Sequence, residues 1–164
     1  MNRVKASLFY FQSVCAAFLI ATFFLIFTGH ANAFLILNSF HNPVADFVFY
    51  YMTYLGDGWF AIIIAASLLL FKKTRNLGVL VLISYAVSGR LAQFVKHLVE
   101  APRPSVYFTY AQYHKFVEGV HLAGSNSFPS GHTTTAFSLA SVLACFTKNK
   151  KLQFLYLILA IATG

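Results

Sequence analysis

The sequence predicts an all-α, polytopic membrane helical bundle, and three observations carry that expectation. Of its 164 residues, 59% are hydrophobic and only 10% are charged, a balance outside the usual range of soluble domains. Ser7 to Thr28 is a run of 22 residues without a charge, enough helix at ~1.5 Å per residue to cross a hydrocarbon core of roughly 30 Å. The basic residues fall between the apolar runs. With Arg3 and Lys5 on the cytoplasmic side, alternation places Lys72, Lys73, Arg75, Lys148, Lys150 and Lys151 there too, eight of the twelve, which is the positive-inside pattern. The four acids (Asp46, Asp57, Glu100, Glu118) and the six histidines then lie outside or at the outer ends of spans. A net charge of +8 could suggest nucleic acid, but the basic residues form no single patch and no nucleic-acid motif interleaves them.

Taken in order, the basic N-terminus, the first apolar run and Ala31-Asn32-Ala33 imitate a signal peptide and its cleavage site. The run exceeds the ~7 to 15 residues of a signal core, so a retained first span is expected. Cys15 and Cys145 both fall in apolar runs and indicate neither a disulfide framework nor a thiolate site. Asn42-Pro43 reads as a helix cap with proline at the first helical position, and Gly56 as that helix's terminator. Phe47, Tyr50, Tyr51 and Tyr54 share one face of it, suiting a helix on the outer membrane surface or ordinary packing. At the Gly56-Asp57-Gly58 break, Asp57 could orient a basic group, although an acid in a loop is more often simply solvated.

Trp59 to Phe71, Asn76 to Lys96 and Thr133 to Thr147 read as the second, third and fourth spans, and Leu152 to Gly164 begins a fifth. Arg90 lies in the third, roughly 9 Å of helix from Lys96 and about 120° around from it. An ionisable residue there is costly and needs a reason, either as a partner for carbonyls or Asp57 or in function. After Pro104 comes a loop carrying Tyr107, Phe108, Tyr110, Tyr113 and Phe116 among His114, Lys115, Glu118 and His121. Its aromatics suit a lipid entrance or an interfacial anchor. The spacing of His114 and His121 matches no standard metal site. In the fourth span Ala136, Ala140 and Ala144 recur every four residues beside Ser141 and Cys145, so this helix is expected in the bundle interior.

The chemistry concentrates between Lys96 and His132. Lys96-His97-Leu98-Val99-Glu100-Ala101-Pro102-Arg103-Pro104 supplies two cations, one flanked by prolines that restrict its backbone. Arg103 offers a planar fork to two phosphate oxygens and Lys96 a compact charge. Pro129-Ser130-Gly131-His132 opens an apolar helix: Ser130 is a good N-cap, and the Gly131, His132 and Thr133 amides can face an anion. Glycine at 131 permits close backbone approach. His132 is placed to protonate a leaving alkoxide. Either half alone would be unremarkable, as snorkelling cations or a helix start, but together they form a phosphate site.

These residues resemble two of the three signature motifs of the type 2 phosphatidic acid phosphatase superfamily: Lys-x6-Arg-Pro, here Lys96, Arg103 and Pro104, and Pro-Ser-Gly-His, here Pro129 to His132. The resemblance covers nearly the whole chain. It implies that Lys96, Arg103, Ser130 and Gly131 bind phosphate, that His132 protonates the leaving group, and that no metal or other cofactor is required. It also implies a nucleophilic histidine in a third motif, Ser-Arg-x5-His-x3-Asp, following the fifth span. The chain ends at Gly164, about where that motif should begin, so residues 1–164 are expected to be one membrane-embedded phosphatase-like domain truncated from a six-span parent. His97, His114 and His121 match no family position.

The leading functional expectation is a metal-independent lipid phosphatase of the cytoplasmic (inner) membrane, working at its outer or periplasmic face through a phosphohistidine. Phosphatidic acid, phosphatidylglycerol phosphate, undecaprenyl pyrophosphate and lipid A phosphate are all open as substrates. Without a nucleophile the 164 residues alone are expected to be inactive. The alternative is a non-catalytic protein binding phosphate or anionic lipid. A transporter is disfavoured because no paired interrupted helices occur in matching halves.

Overall fold

The computed structural model describes residues 2–40, 42–108 and 126–163, with side chains from residue 7 onward. All regular structure among them is helical: α1 (Asn2–Thr28), α2 (His30–Asn38), α3 (Pro43–Met52), α4 (Gly58–Leu69), α5 (Arg75–Val99), the short α6 (Pro104–Tyr107), α7 (Gly131–Phe146) and α8 (Lys150–Thr163). A 3₁₀ turn, Thr53–Gly56, joins α3 to α4.

The charge-free run forms most of α1, and Phe18, Ile20, Phe23, Ile26 and Phe27 on it are exposed. So broad an apolar surface suits hydrocarbon as its solvent. Gly29, at φ 75, separates α1 from α2 in a conformation that favours glycine. Ala31-Asn32-Ala33 lies within α2, with Ala33 buried. At α3, the Asn42 side chain accepts the Ala45 N–H at 2.9 Å and Pro43 stands at the first helical position, as predicted. Phe47, Tyr50, Tyr51 and Tyr54 form one exposed aromatic face, with Phe47 and Tyr51 ring centroids 4.8 Å apart.

Among the described residues, two helical stretches are long and apolar enough to cross a membrane, Ser7–Thr28 and Arg75–Tyr107; the pair Pro43–Gly56 and Gly58–Leu69, bent by 55°, makes a third if it is one broken span. The expected four spans and a fifth form a finer division than these lengths establish. Helices α4, α7 and α8 have 12, 16 and 14 residues, roughly 18 to 24 Å at ~1.5 Å per residue and short of the ~20 residues of a typical span. The break at Asp57 explains α4: the chain bends there rather than continuing α3.

Helix α7 is the centre of the bundle, packing against α5, α8 and α1. Its alanine stripe is buried as predicted, with Ala136 and Ala140 6% exposed and Ala144 fully enclosed at 0%, so backbones can approach closely. Leu139 meets Ala65 of α4 and Val81 of α5. Two hydroxyl pairs tie α7 laterally: Ser84 to Ser138 at 2.8 Å across to α5, and Tyr10 to Ser141 at 3.4 Å across to α1. At Gly78 a Cβ would come within 2.9 Å of the Ala65 carbonyl oxygen, so the α4 and α5 backbones approach closely there.

Candidate active site

The site forms where the end of α5 meets the start of α7. Helix α5 stops at Glu100, whose left-handed conformation (φ 46) turns the chain while its N–H still bonds the Lys96 carbonyl at 3.0 Å. Arg103 is extended (φ −81, ψ 156), as the residue before a proline tends to be, and Pro104 opens α6. One backbone bond closes the site: the Ser127 N–H donates to the Ala101 carbonyl at 3.0 Å, fastening the Arg103 segment to the chain entering α7. The Phe128–Pro129 peptide that follows is cis.

Ser130 caps α7 as predicted, its Oγ accepting the Thr133 N–H at 3.3 Å and its carbonyl accepting the Thr134 N–H at 3.1 Å. The cap therefore occupies one of the three amides expected to face an anion. Those of Gly131 and His132 have no acceptor among the described residues, and the Ser130 hydroxyl proton remains available to donate. A Cβ at Gly131 would meet nothing within 4 Å, so the space beside it is open.

A cleft of about 400 Å³ lies in front of these groups, lined by Gly56, Asp57 and Gly58, by Tyr85, Gly89, Ala92, Gln93 and Lys96 of α5, by Arg103 and Ser127, and by Ser130, Gly131, His132, Thr134 and Thr135. All five residues singled out in the sequence, Lys96, Arg103, Ser130, Gly131 and His132, line it together. Lys96 and Arg103 are half-buried and His132 is exposed. Lys96, Arg103 and the N-terminus of α7 come together at this end of the cleft, with the His132 imidazole at its edge, an arrangement whose charges suit an oxyanion.

The sequence reading missed part of the lining. Asp57, half-buried at the bend, has a role beyond that of a solvated loop acid: its Oδ1 accepts the Trp59 N–H at 3.2 Å, capping α4, and the residue lines the cleft. An Asp directly before an apolar run is itself a helix-start signal that could have shown the cap. Tyr85, Gln93, Thr134 and Thr135 carried no such signal. Arg90 is exposed, lies outside the lining, and makes no hydrogen bond or ion pair among the described residues, so neither an Asp57 nor a carbonyl partner is seen. Gly89, Ala92, Gln93 and Lys96 trace the cleft-facing stripe, and position 90 falls off it as helical periodicity requires. His97 is likewise exposed and outside the lining. His114, His121, Lys115, Glu118, Tyr110, Tyr113 and Phe116 lie outside the described residues.

A second, largely apolar cleft of about 360 Å³ abuts the first. Ser127 borders both, and His30, Phe34, Pro102, Pro104, Tyr107, Phe108 and Phe128 contribute to its walls. The Phe34 and Phe108 rings stack there at 5.0 Å.

The sequence model of the PAP2 superfamily matches residues 77–164. No curated protein and no solved structure matches significantly. The matched stretch contains Lys96, Arg103 and Pro129 to His132 and covers more than half of the sequence, and on that ground the chain belongs to the PAP2 superfamily, the type 2 phosphatidic acid phosphatases.

Proposed function

We propose that this protein is a membrane phosphohydrolase that removes phosphate from a lipid phosphate or diphosphate. The observation that carries the reading is the convergence of Lys96, Arg103, Ser130, Gly131 and His132 on one cleft in a chain of a phosphatase superfamily. In this reading Arg103 and Lys96 neutralise the non-bridging oxygens, the Ser130 hydroxyl and the Gly131 amide hold them in place, and His132 gives its proton to the oxygen that leaves phosphorus. The neighbouring apolar cleft takes the first part of the lipid tail, and the exposed apolar faces of α1 and α5 seat the protein in the bilayer.

In this reading the covalent step is the one the family resemblance implies, made by the histidine of the family's third motif. Its imidazole nitrogen bonds to phosphorus as the ester oxygen leaves, and water then breaks the N–P bond to release inorganic phosphate. Thr163 at the end of α8 sits against Gly56 beside His132, so this end of α8 lies next to the cleft. No metal takes part in this scheme. The proposed topology has α1, α4, α5 and α7 as spans and α8 in a fifth, in one domain, with the cleft at the outer face of the cytoplasmic membrane.

The test is phosphate release from lipid phosphates by protein expressed from the native reading frame. His132→Ala should lower it by ~10²- to 10⁴-fold, the usual contribution of a general acid. Unchanged release would sink the assignment; saturable phosphate binding without release from any lipid phosphate would favour a binding protein instead.

A further inference from the structure

The turn Gly56-Asp57-Gly58 is held in the cleft from both sides. A Cβ at Gly56 would come within 2.7 Å of the His132 carbonyl oxygen, 2.8 Å of the His132 Cβ and 2.6 Å of the Thr163 side chain, and one at Gly58 would run into the Tyr85 hydroxyl. At Gly56 the His132 backbone leaves no room for any side chain but hydrogen, whereas at Gly58 a side chain would have to displace the Tyr85 ring. Asp57 therefore sits in a turn packed between α7 and α5, and it lines the same cleft as His132.

Its charge is the unexpected feature. Asp57 is the one carboxylate among the described residues that line the cleft. One oxygen caps α4 through the Trp59 N–H. No lysine, arginine or histidine among the described residues lies within ion-pair distance, so it is not there to neutralise Lys96 or Arg103. An ionised carboxylate only accepts hydrogen bonds, and beside a bound phosphate it repels, more strongly for a diphosphate than for a monoester. It becomes favourable when the substrate brings hydroxyl donors next to its phosphate. The space allows this: a phosphate group has five heavy atoms, on the order of 150 Å³ at a water's share of liquid volume per atom, against a cleft of about 400 Å³.

We infer that Asp57 is a specificity-determining residue that accepts a hydroxyl of the substrate's headgroup, so that the cleft selects a phosphate monoester carried on a polyol, a glycerol or a sugar, over esters without a free hydroxyl beside the phosphate. The inference rests on the phosphohydrolase reading above and names its substrate class.

The experiment compares kcat/KM of protein from the native reading frame, wild type and Asp57→Asn, on phosphatidylglycerol phosphate, phosphatidic acid and glycerol phosphate. Asparagine caps a helix as well as aspartate does, so the substitution removes the charge and keeps the turn; Asp57→Ser, another good cap, serves if the asparagine variant fails to fold. Wild type should prefer phosphatidylglycerol phosphate to phosphatidic acid by roughly tenfold to a hundredfold, the range of one charge-assisted hydrogen bond. The variant should lose that preference, with phosphatidic acid turnover unchanged or raised. Glycerol phosphate separates the two sources of a polyol phosphate: turnover comparable to the lipid assigns the selection to a free polyol ester, and much weaker turnover to a lipid headgroup. An equal fall on every substrate, or a preference kept in the variant, overturns the inference. Absence of release from all three by wild type overturns the phosphohydrolase reading instead.

Discussion

The two ends of α7 face the same physical problem and meet it in opposite ways. Every helix leaves unpaired amides at its start and unpaired carbonyls at its end. At the far end of α7, Gln153 of α8, fully buried, donates its side-chain amide to the Ala144 carbonyl at 3.1 Å and the Thr147 carbonyl at 2.9 Å. At the near end, Ser130 satisfies the Thr133 amide alone, and those of Gly131 and His132, two residues that line the cleft, have no acceptor among the described residues. Among the described residues, one end is closed by the protein and the other borders an open cleft. The contrast teaches that a polar group left without a protein partner marks a site when it faces an open cleft beside fixed cations. The starts of α3 and α4, capped by Asn42 and Asp57, show how readily this fold closes a helix end elsewhere.

Substitutions at the two ends should therefore separate activity from stability. The largest effect is expected for His132→Ala, a fall of ~10²- to 10⁴-fold in kcat with the thermal midpoint unchanged, because the exposed side chain packs little. A fall in midpoint of the same relative size would erase the distinction between the ends. Gly56→Ala should cost about 1 to 3 kcal/mol by overpacking and lower kcat as well, since the new methyl group presses on His132 and Thr163; calorimetry and initial rates read the two separately. Gln153→Ala should cost a similar ~1 to 3 kcal/mol through the buried Ala144 carbonyl and the part-buried Thr147 carbonyl left unpaired, with KM unchanged. A raised KM would show that the closed end also communicates with the cleft. The smallest effect belongs to Asn42→Ala, about 1 kcal/mol from the lost cap, with kinetics unaltered.

What could be read in the sequence was local. The charge-free run of α1, the Asn42-Pro43 cap and the alanine stripe of α7 each depend on residues within a few turns of one another, and each is found as expected. The five candidate residues that line one cleft were singled out because two short motifs carry them. That Arg90 points away from Lys96 followed from the helical period alone. The remainder depends on contacts between distant segments. Asp57 enters the cleft only because two glycines let the turn press on Tyr85 and His132. The Ser127 to Ala101 bond joins segments that no periodicity relates. Gln153, read as part of an apolar run, has its role only once α8 lies against the end of α7. The bend between α3 and α4 likewise reflects packing as well as composition, which is why counting apolar runs suggested more separate spans than the helix lengths establish.

The most direct measurement is vanadate binding, vanadate being a phosphate mimic, to the detergent-solubilised wild type and to Arg103→Ala and Arg90→Ala. Both arginines come from the same part of the sequence, yet one lines the cleft and the other does not. Saturable binding, weakened about tenfold to a hundredfold by Arg103→Ala, in line with a lost charge-assisted bidentate contact, and left intact by Arg90→Ala, is the predicted result. Equal weakening by the two substitutions, or no saturable binding by the wild type, would contradict a phosphate site built from Lys96, Arg103 and the start of α7.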